Sequence, residues 1–139
     1  MTLSVVCPIY NEEKYIGKFL DSILQQDYPK DDLEILLVDG MSKDRTRDII
    51  VDYSAKNPCL RLVDNPQQTV PYAMNNGIMS AKGSIIIRLD AHAVYPSNYF
   101  SILVKKLDEL ENADNVGGVC ITLPCNESPV AVAIAECLS

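Results

Sequence analysis

The sequence predicts an α/β layered fold around a mostly parallel sheet. Short apolar runs alternate with stretches of helical periodicity in the order β-α-β-α-β-α-β-α-β-α. A parallel sheet with right-handed crossovers is the usual solution for such alternation. The runs Ile35-Leu36-Leu37-Val38 and Ile85-Ile86-Ile87 are apolar without a break, as in strands covered on both faces.

The elements follow in order. The first strand is expected at residues 3–7. Tyr15, Ile16, Phe19, Leu20, Ile23 and Leu24 then share one face of a helix over about residues 12–26, and Asp27-Tyr28-Pro29 ends it. A second strand at 33–38 leads to a helix over about 44–56, marked by Ile49, Ile50 and Tyr53. A third strand at 59–63 precedes a helix carrying Ala73, Met74, Gly77, Ile78 and Ala81. Pro71 suits the first turn of that helix. A fourth strand at 84–89 precedes a helix carrying Phe100, Leu103, Val104, Leu107 and Leu110, capped by Ser97 or Asn98. Residues 118–123 are a candidate fifth strand, and 130–138 open a fifth helix.

Composition narrows the function. A chain of 139 residues fits one domain, and 47% hydrophobic with 22% charged residues is an ordinary globular balance that excludes global disorder. Twelve Lys+Arg against 19 Asp+Glu leave a net charge of −7. That excludes a general nucleic-acid binder and a polybasic membrane-surface protein. The five cysteines, Cys7, Cys59, Cys120, Cys125 and Cys137, are odd in number and show no C-x-x-C spacing. They are expected to be reduced, mostly buried thiols of a cytoplasmic protein. Asn126-Glu127-Ser128 matches a glycosylation sequon, which carries no meaning in that compartment. No signal peptide and no apolar stretch of about 18 residues is present. The last residues are apolar, so the chain is expected to be part of a longer protein.

In sheets of this kind ligands bind beyond the carboxyl ends of the strands. Strand one ends in Cys7-Pro8-Ile9-Tyr10-Asn11-Glu12-Glu13, strand two in Val38-Asp39-Gly40-Met41-Ser42-Lys43-Asp44, strand four in Arg88-Leu89-Asp90-Ala91-His92-Ala93. One such acid is an ordinary turn residue; three on one edge suggest a site. No G-x-G-x-x-G, P-loop or G-x-S-x-G motif is present, and the single histidine excludes chemistry needing two.

Taken together with Asn75-Asn76-Gly77 and Arg45-Thr46, these runs resemble the family 2 glycosyltransferases over nearly the whole chain. The Asp90-Ala91-His92 form is similar to members that build bacterial exopolysaccharides of the succinoglycan type. The resemblance implies a GT-A fold, three-layered and Rossmann-like, with residues 1–139 as the donor-nucleotide-binding part. It implies a nucleotide-diphosphate sugar donor, usually a UDP-sugar, with Mg²⁺ or Mn²⁺. The sugar would pass with inversion to a saccharide or lipid-linked acceptor, in the cytoplasm or at the inner face of the membrane. Pro8, Tyr10 and Glu12 would line the base and ribose pocket, and Asp39 would accept a hydrogen bond from the base. Asn75 belongs to the nucleotide-binding motif, and Asp90 would meet ribose and metal. The family more often has Asp where His92 stands, and often Arg or Lys where Met74 stands.

The chemistry suits those residue types. Pyrophosphate leaves with negative charge, which a divalent cation stabilises. Mg²⁺ and Mn²⁺ take oxygen ligands and few from the protein. Asp90 and His92 are two apart, so in an extended segment both face one ion, and imidazole favours Mn²⁺ over Mg²⁺. The alternative readings are a hydrogen-bonded structural histidine for His92, a turn cap for Asp39 and a packing residue for Tyr10. Asn11 and Glu12 also suit the start of a helix, Ser42 and Asp44 read as caps, Arg88 could offset the carboxylates, and Arg45 and Lys82 read as solvated.

An inverting transfer needs a general base on the acceptor hydroxyl. Asp108, Glu109, Glu111 and Asp114 read as the solvated side of a helix, and Glu127 and Glu136 are no better placed. The base is therefore expected beyond Ser139. The apolar helix at 130–138 is expected to be exposed and open to self-association. A non-catalytic nucleotide-binding or interaction module on the same frame would use the same motifs, and a phosphotransfer protein would use Asp39 or Asp90.

Overall fold

A computed structural model of the chain describes residues 2–124 and 126–138. It divides into two compact units, Met1–Val104 and Lys105–Ser139. The first contains β1 (Leu3–Ile9), α1 (Ile16–Leu24), a 3₁₀ turn (Lys30–Asp32), β2 (Leu33–Asp39), α2 (Thr46–Ser54), β3 (Leu60–Asp64), α3 (Val70–Ser80) and β4 (Ile85–Arg88). Helix α4 (Tyr99–Glu109) runs through the division, and α5 (Pro129–Leu138) lies in the second unit.

The four strands form one parallel sheet in the order β3-β2-β1-β4. Val5 stands opposite both Ile35 and Ile87. Every residue of β2 is buried, and so are all of β1 except Pro8. Their unbroken apolar runs have the composition such positions need. From β1 to β3 the chain moves one way across the sheet; after β3 it returns to the far side of β1. Right-handed crossovers then put α1 and α2 on one face and α3 on the other, giving three layers. Tyr53 Oη donates to Asp21 Oδ1 at 2.8 Å and ties α2 to α1. On the opposite face Ala73 packs with Val6, Leu36 and Val38. Gly77 lets α3 settle there: a Cβ would overlap Val6 Cγ1 and stand 3.2 Å from Val38 Cγ2. The crevice between β1 and β4 is where the winding reverses, the place such sheets use for ligands.

Several expectations change. Residues 118–123 are not a strand. Val119, Ile121 and Leu123 are 94%, 73% and 78% exposed. A strand persists only through a ladder, and no neighbouring strand is present here among the described residues. Strand β4 is not covered on both faces: as an edge strand it leaves Ile86 40% exposed. Helix α1 begins at Ile16, four residues late; residues 13–15 form a turn in which the Glu12 carbonyl accepts from the Tyr15 and Ile16 amides at 2.9 and 2.8 Å. Cys7 is buried, but Cys59 is half-buried and Cys120 and Cys137 are exposed, so the thiols are not mostly buried. Cys125 lies outside the described residues.

At the amino-terminal edge of the sheet, β2 carries a buried acid. Glu34 accepts hydrogen bonds from Ser4 Oγ, from the Lys82 amide and from Arg61 Nη1 at 3.2 Å. The Gly83 amide donates to Ser4 Oγ at 2.8 Å, so the group fastens the α3–β4 connection to β1 and β2. Burial pushes the Glu34 carboxyl up, but the bonds from Ser4, Lys82 and Arg61 together hold it below the ordinary range.

A folded-state pKa below the unfolded one stabilises the fold above the unfolded pKa, and that gain is lost as pH falls through the folded value. Acid titration of the melting temperature should therefore fall less steeply for Glu34→Gln than for the wild type. Glu34→Ala should cost about 2–4 kcal/mol at neutral pH, because it strands the Ser4 hydroxyl and the Lys82 amide. Urea denaturation measures that cost, and an unchanged midpoint would count against the cluster.

Candidate functional site

The loops after β1 and β2 are stitched together at the carboxyl edge of the sheet. The Gly40 amide donates to the Ile9 carbonyl at 2.8 Å. The Asn11 amide donates to Ser42 Oγ at 2.8 Å, and the Lys43 amide returns a bond to Asn11 Oδ1 at 2.9 Å. Further along, the Glu12 amide donates to Thr46 Oγ1 at 2.8 Å and the Glu13 amide to Asp44 Oδ2 at 3.2 Å, while the Arg45 amide donates to Glu13 Oε2 at 3.1 Å. Asp44 also caps α2 by accepting from the Thr46 amide at 3.0 Å. Asn11 and Met41 (φ 62°) both take the left-handed conformation. Asn tolerates it readily; for Met it costs free energy that the surrounding bonds must offset.

Asp39 lies beneath this stitching and is fully buried. Its Oδ2 accepts from the Ser42 amide at 3.0 Å and from Arg47 Nη1 at 2.7 Å, and its Oδ1 accepts from Ser42 Oγ. Arg47 Nη2 reaches Asp64 Oδ1 at 2.8 Å, so one guanidinium spans the ends of β2 and β3. These bonds to Asp39 and Asp64 raise the Arg47 pKa still further. A buried charge survives only with such partners.

Above lies a cavity of about 170 Å³. Pro8, Ile9, Tyr10 and Glu12 form one wall, Asp90, Ala91 and His92 another. The third consists of Asn65, Gln68, Thr69, Val70 and Ala73. Tyr10 is 44% exposed. Its ring lies so close to Gly40 that a Cβ there would stand 3.2 Å from Tyr10 Cδ2. His92 Nδ1 is 3.8 Å from Glu12 Oε1, and Arg88 Nη2 is 3.3 Å from Asp90 Oδ1. Asn65 is 1% exposed. Its amide donates to the Asp39 carbonyl at 2.8 Å, and its Nδ2 donates to the Thr69 carbonyl at 3.0 Å. Asn76 Nδ2 donates to Asn65 Oδ1 at 3.5 Å, and the Gln68 amide to the Asn65 carbonyl at 3.0 Å. Cys7 lies nearby, and burial, with lesser contributions from Asp90 and Glu12, pushes its thiol well above the ordinary value. It stays protonated and is a packing group here.

The structure brings Pro8, Tyr10, Glu12, Asp90 and His92 to one cavity. It does not bring Asp39, whose oxygens face Ser42 and Arg47, nor Asn75, which is exposed on α3 while the next residue, Asn76, turns inward. Ser42 is more than a cap, since it links Asn11 to Asp39. Sequence reasoning missed Asn65, Gln68 and Arg47. Asp64-Asn65-Pro66 is a turn signal at a strand end, like those used for the other strands. Arg47 is a cation in the first turn of a helix, where the dipole disfavours it, and that anomaly points to a local anion.

Among the described residues no three His, Cys, Asp or Glu side chains group closely enough to hold a metal ion. Asp90 and His92 share the cavity and supply one oxygen and one nitrogen donor. That fits a divalent ion whose remaining ligands are phosphate oxygens and water.

A family model described as Glycosyl transferase family 2 matches residues 4–126. Among curated proteins the chain is 41% identical over 100 residues to a dolichyl N-acetyl-alpha-D-glucosaminyl phosphate 3-beta-D-2,3-diacetamido-2,3-dideoxy-beta-D-glucuronosyltransferase of Methanococcus voltae, covering 70% of this chain and 31% of that protein. It is 28% identical over 144 residues to the dolichyl-phosphate beta-glucosyltransferase ALG5A of Trichomonas vaginalis, covering 99% and 45%. The chain thus spans less than half the length of these relatives. Among solved structures, the mannosyltransferase PcManGT of Pyrobaculum calidifontis, in complex with GDP-Man and Mn²⁺, superposes with TM-score 0.64 at 35% identity, covering 68% of this chain and 28% of that one. Staphylococcus aureus TarS 1-349 in complex with UDP superposes with TM-score 0.69 at 24% identity, covering 88% and 39%, a likeness of fold.

Removing Arg47 tests the clamp under the cavity. Arg47→Ala should destabilise the chain by about 3 kcal/mol, because it leaves the Asp39 charge buried with only Ser42. Arg47→Lys should recover part of the loss, since an ammonium cannot fork to Asp39 and Asp64 together. Urea denaturation of the two variants measures both effects; equal stability of all three chains would dismiss the clamp.

Proposed function

The chain belongs to glycosyl transferase family 2, and we propose that it forms the donor-binding part of an enzyme that transfers a sugar from a nucleoside-diphosphate donor. The observation that carries this is the cavity at the winding reversal, where Tyr10, Glu12, Asp90 and His92 meet within the family-matched residues. The donor is a UDP-sugar, the acceptor a saccharide or lipid-linked saccharide of a polysaccharide or glycan pathway, and the transfer inverts the anomeric centre. The Tyr10 face stacks on the base, with Gly40 leaving room behind the ring. Pro8 and Glu12 line the base and ribose pocket. Asp39 supports this pocket from beneath through Ser42 and Arg47, without meeting the base.

Asp90 and His92 hold Mg²⁺ or Mn²⁺ together with the pyrophosphate; the PcManGT complex with GDP-Man and Mn²⁺ supports a divalent ion in this fold. When bound, the ion supplies neutralisation of the departing diphosphate. Glu12 Oε1 lies 3.8 Å from His92 Nδ1 on the opposite wall of the cavity. Glu12 and Asp90 are the cavity's carboxylates among the described residues, and both are committed to the donor. The base for the acceptor hydroxyl is therefore assigned outside residues 1–139, and the chain alone binds donor without transferring sugar. No helix among the described residues is long and apolar enough to cross a membrane; the reaction is assigned to the cytoplasm, at the inner membrane face for a lipid-linked acceptor.

Calorimetry with UDP and with GDP, each with and without Mn²⁺, tests donor binding. UDP should bind more tightly with Mn²⁺ than without. Tyr10→Ala should weaken binding about tenfold with or without the metal, the loss of one base–aromatic stack. Asp90→Asn should remove the metal-dependent gain and leave the stack. Indifference to both nucleotides would reject the donor site.

Helix α5 supports self-association. Val130, Ile134 and Leu138 follow at i, i+4 and i+8 and are 70%, 54% and 67% exposed, an apolar stripe along one face. Sedimentation should show weight-average mass rising with concentration for the wild type and not for Ile134→Lys; a monomer at all concentrations rejects it.

A further inference from the structure

We infer that Tyr95 is a positioning residue for the Asp90-Ala91-His92 segment: its hydroxyl holds the main-chain amide and carbonyl of Asp90 so that Asp90 and His92 face the cavity together. The inference rests on the donor-site assignment above and adds to it a residue outside the cavity wall.

The segment is fixed at both ends. At its entry the Leu89 amide donates to the Val6 carbonyl at 3.1 Å, the last bond to the sheet. At its exit Gln26, 4% exposed, donates from Nε2 to the Pro96 carbonyl at 2.7 Å and accepts from the Phe100 amide at 3.1 Å. The Asp27 amide donates to the Ser97 carbonyl at 2.9 Å. Between these anchors Asp90 has left the sheet, and its main-chain groups need other partners. The Asp90 amide donates to Tyr95 Oη at 2.9 Å, and Tyr95 Oη donates back to the Asp90 carbonyl at 3.4 Å. That carbonyl also accepts from the Ala93 amide at 3.2 Å, closing the turn that carries His92.

The hydroxyl is itself held in place by aromatic packing. The Tyr95 ring meets Phe19 of α1 edge-on, with centroids 6.3 Å apart, and tilts against Tyr99 of α4 at 5.1 Å. A phenol hydroxyl both accepts and donates, so it can serve the amide and the carbonyl of Asp90 together. A rigid ring thus transmits the position of the core to the two peptide groups that flank the Asp90 Cα. Orientation of two ligands two residues apart depends on those two planes, because they set the backbone angles of Asp90 and open the turn that carries His92.

Tyr95→Phe keeps the ring and removes only the hydroxyl. UDP affinity is measured by calorimetry with Mn²⁺ and with a chelator, on wild type, Tyr95→Phe, Asp90→Asn and the double variant, each checked for cooperative melting. In Tyr95→Phe the metal-dependent gain should shrink about five- to tenfold, the worth of one hydrogen bond, while metal-free affinity stays within about twofold. In the Asp90→Asn background the same substitution should add nothing. An undiminished metal-dependent gain overturns the inference. An equal loss with and without metal also overturns it, since a merely structural hydroxyl would act that way. A variant that does not melt cooperatively likewise marks the hydroxyl as a folding element and overturns it. If the wild type ignores UDP under both conditions, the donor-site assignment itself falls, and the positioning role with it.

Discussion

Burial of the Asp39 charge is the constraint on which the upper edge of the sheet depends. A carboxylate at zero exposure is tolerable only if its oxygens are filled and its charge is met. Ser42 and Arg47 do both. Each of these partners then has a second commitment. Ser42 holds the amide of Asn11, which fixes how the chain leaves β1, and Arg47 holds Asp64, which fixes the end of β3. The Asp39 carbonyl anchors Asn65, around which the loop into α3 is built. The carboxylate thus ties the loops after β1, β2 and β3 through Ser42 and Arg47, and the main chain of the same residue holds Asn65.

The strand that carries Asp39 is charged at both ends. Glu34 and Asp39 bracket the apolar core of β2, and side-chain alternation puts them on opposite faces. Each is met by an arginine from a neighbouring element, Arg61 of β3 and Arg47 of α2. The lower group fastens the α3–β4 connection and the upper one the loops of the site. Paired acids at the two edges also hold the register of β2 between β1 and β3, since a one-residue slip would move both to the wrong face.

Much of the fold was legible in the sequence because its signal is periodic. The runs of β1 and β2 and the faces of α1 to α4 are set by burial, which leaves a pattern. The errors fall where partners decide. Residues 118–123 are apolar enough for a strand, yet no neighbour completes a ladder. Ile86 belongs to an unbroken run but stands at an edge. In the site, Pro8, Tyr10, Glu12, Asp90 and His92 could be found because the end of a parallel strand is a place with a known use. Asp39 could be found but not interpreted, since exposure depends on Arg47, eight residues away on another element. Asn75 is the residue the sequence singles out, yet Asn76 turns inward; the difference is the rotation of α3 about its axis, for which two adjacent identical side chains leave no trace. Tyr95 was invisible: nothing local distinguishes a phenol that packs from one that also braces a peptide.

The contact at Gly77 has a consequence for how sequences of this kind can drift. Position 77 has no room for a side chain because Val6 fills it, and Val6 faces α3 one turn below the residues that wall the cavity. A larger residue at 77 becomes acceptable only after shrinkage at 6. The substitutions must therefore arrive in a preferred order, small on the strand first. Positions 6 and 77 are therefore coupled in order, whereas an exposed position of the same helix such as Met79 meets no such constraint.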